Sequence, residues 1–232
     1  MLAKREGSRS AFVLNDGQPY GFGIAEAFRV AAERNGPRVV GTASWDPEAR
    51  HYRALAERIR ATGVDAVYLG GYVSSNGVRL IEDLRRALGP AALIVGPDGF
   101  ATPEFIVEGA GPAAEGFAWT IATLPTDELP PPGRDLAASF EARFSSRPCC
   151  FAVQAAQTAS MILDAIEGSG GSRSRVTETL LAARVEDGYL GDFEIDRYGD
   201  TTLNTIGAYR IEDGDLRFVT AITPTAELLA RQ

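Results

Sequence analysis

The sequence predicts an α/β protein, a doubly wound parallel sheet flanked by helices. Three observations carry that expectation. Apolar strand-like runs alternate with amphipathic helical stretches from residue 11 to residue 121, which is the pattern of successive βαβ units. The run Ala66-Val67-Tyr68-Leu69 is apolar throughout rather than alternating, as a parallel strand covered on both faces requires. Three strands run straight into short loops: Asp16-Gly17-Gln18-Pro19-Tyr20-Gly21, Gly70-Gly71-Tyr72 and Gly96-Pro97-Asp98-Gly99. In an open α/β sheet such loops gather at the carboxyl ends of the strands, where ligands bind.

The elements follow in order. Residues 11–15 read as a strand. Residues 20–35 read as a helix with Ile24, Ala27, Phe28, Ala31 and Ala32 on one face, closed by Asn35-Gly36-Pro37 as a glycine cap and a breaker. Residues 38–43 form the next strand. Asp46-Pro47-Glu48 has the composition of a helix start, with an N-cap and a proline at the first position, and that helix is expected to run to about residue 62. Strand 65–70, helix 74–88, strand 91–95, a short helix from Thr102-Pro103-Glu104 and strand 116–121 complete the alternation. Pro125, Pro130, Pro131 and Pro132 then mark residues 125–133 as a linker. Helices are expected at 134–144, 151–167 and 174–183. A strand at 189–195 and a hairpin, 205–211 with 216–222 around Asp213-Gly214, finish the pattern.

Composition bounds the function. The 232 residues suffice for one large domain or two small ones. A formal charge of -8 argues against a nucleic-acid or anionic-membrane surface. No apolar run reaches the about 18–20 residues of a membrane helix. The first ten residues are charged and lack the apolar segment of a secretory signal, so either the protein is cytoplasmic or its true beginning lies upstream. Cys149 and Cys150 are adjacent, a spacing that strains a disulfide. They read as structural thiols at a helix start, with a redox or intermolecular role as the alternative. His51 is the only histidine; with no nucleophile elbow to serve, it reads as a solvated surface residue. No metal or cofactor is expected. Gly21-Phe22-Gly23-Ile24-Ala25-Glu26 lacks the third glycine of a dinucleotide fingerprint, and Asp196 and Asp200 lack the spacing of an EF-hand loop.

The chain resembles the type I periplasmic binding proteins, and within them the branched-chain amino-acid (Leu/Ile/Val) receptors of ABC transporters. Five pieces carry the resemblance, in family order and spacing: Asp16 through Gly23 (D-x-x-x-Y-G-x-G), Asp65 through Tyr72, Gly96-Pro97-Asp98-Gly99, Ala113-Ala114-Glu115-Gly116, and Leu190-Gly191 through Asp196-Arg197-Tyr198-Gly199-Asp200. The resemblance implies a periplasmic-binding-protein-like I fold, with two Rossmann-like lobes closing on a small ligand. It implies an extracytoplasmic receptor with no catalytic activity, whose partners are an amino acid and the membrane subunits of a transporter. Residues 11–125 and 186–232 would form lobe two, including a final helix. Residues 126–185 would be a helical crossover belonging to lobe one, after a disordered start at 1–10. The rest of the first lobe is absent, so a missing lobe or partner chain is implied. Phe140, Phe144, Ile162, Leu163 and Ile166 are then expected to be partly exposed. Ala156-Gln157-Thr158 stands where the family often has Tyr-Asp-Ala.

In family terms Tyr20, Tyr72 and Asp98 are the ligand contacts, with Asp98 pairing an α-ammonium. A carboxylate in a closing cleft suits that role, and tyrosines supply flat apolar area with a polar tip. Many relatives have Glu at the position of Asp98, so the ligand stays open between an aliphatic amino acid and other small polar solutes. Bland readings stand beside these. Asp98 could bond only its own turn, Tyr20 could pack over its loop, and Ser74, Ser75 and Asn76 read first as helix caps, with Ser74 kept as a candidate ligand donor. Asp16 reads as a turn residue. The rival functions are a ligand-sensing regulatory domain of the same fold within a signalling protein and, behind it, a Rossmann-like enzyme.

Overall fold

The computed structural model describes residues 1–225. The final helix expected near the C-terminus falls outside the described residues. The chain divides into two compact units, one built from Met1–Ile121 with the chain from Ile206 onward, the other from Ala122–Thr205.

The first unit contains α1 (Leu2–Arg5), β1 (Ser10–Asn15), α2 (Pro19–Asn35), β2 (Arg38–Ser44), α3 (Arg53–Ala61), β3 (Ala66–Gly70), α4 (Gly77–Leu88), β4 (Leu93–Gly96), α5 (Pro103–Ala110) and β5 (Ala118–Ile121). The second unit follows with α6 (Pro131–Phe144), α7 (Ala152–Ser169), α8 (Arg173–Leu181), β6 (Arg184–Val185) and β7 (Phe193–Glu194). The chain then returns to the first unit as β8 (Ile206–Glu212) and β9 (Asp215–Ile222).

Among the described residues seven strands form the main sheet, in the order β2-β1-β3-β4-β5-β8-β9. The pairings from β2 through β5 are parallel, and β8 and β9 add antiparallel. The expected doubly wound architecture is therefore present, because alternate side chains of one strand enter different cores. Leu14, Val67, Leu69 and Ile94 pack with α3, α4 and α5 residues such as Ile59, Leu80 and Ile106. Val13, Tyr68 and Val95 face the other way, toward Leu2, Ala25 and Phe28 of α1 and α2. Every residue of β3 is buried, which is why its sequence does not alternate. The order also reverses at β1: the chain leaves β1 for one neighbour, β2, and later fills the other side with β3. That makes the gap between the ends of β1 and β3 a topological switch point. The closing hairpin turns on Asp213 (φ 55°) and Gly214 (φ 77°), the two left-handed residues of a type I′ turn.

Several boundaries depart from expectation, each for a local reason. Residues 1–10 are not a structureless start: α1 forms there, with Leu2 and Ala3 buried. Asp46-Pro47-Glu48 is a turn rather than a helix start. Asp46 Oδ1 accepts the Glu48 N–H at 3.0 Å, and α3 waits until Tyr52, whose N–H donates to the buried Asp83 carboxylate at 2.6 Å. Residues 74–76 precede α4 rather than belonging to it; Asn76 sits at the cap position in a left-handed conformation and makes no side-chain cap bond, donating instead to the Ala49 carbonyl.

In the second unit Pro131 and Pro132 are not linker. They occupy the first turn of α6, where a missing N–H loses nothing. Residues 186–205, expected with the finishing strands, belong to the second unit. The Tyr189 N–H donates to Gln157 Oε1 at 2.6 Å, and β7 pairs with β6. A Cβ on Gly133 would stand 2.1 Å from the Tyr189 carbonyl, so only glycine permits that approach. The buried Gln157 thus has a clear job at the position where the resemblance implied an acid. No helix among the described residues is long and apolar enough to cross a membrane.

Candidate functional site

The switch point gathers the predicted residues. Tyr20 lies in the first turn of α2, directly after β1. Tyr72 follows β3, and Asp98 begins a 3-10 turn after β4. The two tyrosine rings stack with centroids 4.6 Å apart and planes 27° from parallel. The Tyr20 hydroxyl donates to Asp98 Oδ1. The Asp98 carboxylate therefore has a partner outside its own turn.

Local packing explains the precision. Phe100, wholly buried, anchors the turn that carries Asp98; its ring fills the space beside Gly77 and Gly96, where a Cβ would come within 2.7 and 2.8 Å of it. The Gly99 carbonyl accepts the Val73 N–H at 3.0 Å. A side chain at Gly99 would meet the Gly71 carbonyl at 2.3 Å. The loops after β3 and β4 are therefore laced together by backbone contact that glycine alone allows.

The electrostatics are acidic. Burial first, then the bond to the Asp98 carboxylate, pushes the Tyr20 hydroxyl well above its ordinary pKa, so it stays a neutral donor. Tyr68, two residues before the end of β3 and stacked on Phe28 at 4.2 Å, is raised by burial and then by Tyr20 and Asp98. No lysine or arginine forms an ion pair with Asp98 among the described residues. The unpaired carboxylate makes this wall favour a cationic group. Tyr72 is 42% exposed and Asp98 is half-buried, so both are open to a solute.

Sequence reasoning missed Asp16. It is 1% exposed, and its carboxylate accepts the Gln18 N–H at 3.1 Å, the Tyr72 N–H at 3.2 Å and the Ser75 hydroxyl at 2.9 Å. Two of those partners lie more than fifty residues downstream, beyond any local signal; the only hint was its place at the end of a strand. Ser74 is exposed. The neighbouring Ser75, not Ser74, holds Asp16. His51 is exposed ahead of α3, and Cys149 and Cys150 are exposed ahead of α7. Among the described residues no group of three or more His, Cys, Asp or Glu could hold a metal ion.

The family described as periplasmic binding protein matches residues 1–215. The chain belongs to that family. Its members are solute-binding proteins rather than an enzyme class, and the fold is type I: over 95% of the chain it superposes on a leucine binding protein from Thermotoga maritima with a TM-score of 0.83 at 23% identity, covering 62% of that chain. A branched-chain amino acid transporter substrate binding protein from Streptococcus pneumoniae, in complex with isoleucine, gives 0.78 at 19% identity over 96% of this chain and 62% of its own. In sequence the chain is 30% identical to the leucine-, isoleucine-, valine-, threonine- and alanine-binding protein of Pseudomonas aeruginosa, over 86% of this chain and 52% of that protein. It is 26% identical to a Leu/Ile/Val-binding protein homolog of Brucella melitensis, over 93% and 57%. The periplasmic binding protein chain thus spans little more than half the length of these curated relatives.

Proposed function

We propose that this chain supplies one wall of an extracytoplasmic solute receptor that delivers a small zwitterion, best a branched-chain amino acid, to the membrane subunits of an ABC transporter. The observation that carries the reading is the Tyr20–Asp98–Tyr72 cluster at the switch point. The Asp98 carboxylate accepts the solute's ammonium in a charge-assisted hydrogen bond. The stacked tyrosines give the aliphatic part a flat apolar surface, and Ser74, two residues after Tyr72 and exposed, is proposed as a further donor. A first lobe, which the relatives' greater length accommodates, supplies the opposite wall of an inter-lobe cleft and the donors for the solute carboxylate; closure of that cleft is what the transporter reads.

An acidic wall lacking a cation favours this over a carboxylate solute, even though a related fold from R. palustris, 17% identical with a TM-score of 0.76, is in complex with 4-hydroxybenzoate. With one wall alone a bound solute stays wet, and each factor of ten in affinity is only about 1.4 kcal/mol. The 232-residue chain is therefore expected to bind L-leucine weakly. Nuclear magnetic resonance titration suits that regime. L-leucine should move the resonances of Tyr20, Tyr72 and Gly99, whereas 4-methylpentanoate, which is leucine without its amino group, should not. Equal responses to both, or leucine shifts elsewhere on the chain only, would overturn the assignment.

A further inference from the structure

We propose that Asp16 is the positioning residue of this site: its one buried carboxylate ties the start of α2 to the loop after β3 and so holds Tyr20 and Tyr72 in their stacked register. The part of this that concerns solute binding rests on the proposed function; the part that concerns the rings does not.

The geometry goes beyond a turn. An aspartate that merely closes a turn needs one oxygen, and Asp16 Oδ1 does meet that need by accepting the Gln18 N–H. The second oxygen serves a different segment, accepting both the Tyr72 N–H and the Ser75 hydroxyl. The backbone repeats the tie, since the Asp16 N–H donates to the Gly70 carbonyl at 3.0 Å. The surroundings are shaped around the carboxylate. A Cβ on Gly21 would stand 2.0 Å from Oδ1, and one on Gly71 would stand 2.6 Å from Cγ. Trp45 seals the same corner, its Nε1 donating to the Ser75 carbonyl at 2.7 Å.

A buried carboxylate with no ion-pair partner among the described residues is tolerated only when its lone pairs are satisfied by well-placed donors. All three donors here are neutral, and two sit within two residues of a ligand-facing ring or on it. Asparagine cannot replace it. The amide nitrogen is itself a donor, so it must oppose either the Gln18 N–H or the Tyr72 and Ser75 donors.

The test uses Asp16→Asn in the 232-residue chain, followed by amide hydrogen exchange and L-leucine titration. The variant is expected to keep its far-ultraviolet circular dichroism. Exchange should rise about tenfold or more at whichever of the Gln18 and Tyr72 amides faces the new amide nitrogen, while Val67 to Leu69 in β3 stay protected, because the lost bonds are local. The leucine affinity should fall about tenfold, and that loss should vanish when Tyr20 and Tyr72 are already alanine, since a residue that acts through the rings has nothing left to position. Unchanged exchange at Gln18 and Tyr72, or an equal loss in both backgrounds, would overturn the proposal. If Asp16→Asn does not fold, Ser75→Ala decides: faster exchange at Tyr72 with Gln18 unmoved supports the tie, and no change refutes it. A wild-type chain that ignores leucine defeats the solute reading, and the exchange measurements still judge Asp16.

Discussion

The two units bury their apolar side chains very differently. In the first, Leu14, Leu69, Ile94, Phe100 and Phe117 are fully buried, and rings pack in series from Phe100 through Phe117 and Trp119 to Tyr209. In the second, α8 buries no residue, and Phe144 and Leu163 are 61% and 65% exposed. An apolar hollow of about 680 Å³, lined in part by Leu124, Met161, Ile162 and Leu181, opens among its helices. A sheet with helices on both faces completes its own core. Helices with only the short β6–β7 pair beside them present a stripe that must find a cover, and the amphipathic pattern announces the stripe without naming the cover.

The sharpest way to break this contrast is to truncate one large side chain in each unit. Phe100→Ala should cost about 3–5 kcal/mol in chemical denaturation, because the cavity lies in a core that cannot collapse around it. It should also release Asp98, so the leucine response should fall with it. Next comes Asp98→Asn, which leaves the fold intact and should abolish the preference for leucine over 4-methylpentanoate, as measured by titration. The third effect is on alkaline stability. Tyr20 holds its proton above the ordinary value of 10.0 in the folded chain, so the native state binds more protons than the unfolded one once pH passes 10. Stability from this group is fully present below that point and is lost as pH rises beyond it; Tyr20→Phe should make the decline above pH 10 shallower in denaturation series. The smallest effect should come from Leu163→Ala, within about 0.5 kcal/mol, as befits an exposed position. A loss as large as that at Phe100 would mean that the second unit buries more than its surface suggests.

Much of the first unit was legible because apolar period and burial coincide there. The unbroken run of β3 read correctly as doubly covered, and the loops bearing Tyr20, Tyr72 and Asp98 stood out because strands of such a sheet end where ligands bind. The exposed set around Phe144 and Leu163 was legible too, once the resemblance implied helices without their sheet. What stayed hidden depended on distant partners. Asp46 looks like a helix cap until Asp83, far along the chain, claims the Tyr52 amide. Residues 186–205 read as finishing strands until Gln157 and Gly133 claim Tyr189. Asp16 looks like punctuation because its second oxygen answers to residues 72 and 75.

The Phe100 anchor has a consequence for how such a receptor could change its diet. The tyrosine pair hangs from β1 and β3, whereas Asp98 rides on a short turn after β4 whose footing is the buried Phe100 ring. Under the proposed function, exchanging the acidic side chain at that one address would alter which head group is welcomed; it would take from the Tyr20 hydroxyl its acceptor, while the Asp16 tie to the loop after β3 stays in place. A lineage could therefore explore new nutrients by editing a single turn, with the rest of the wall inherited unchanged.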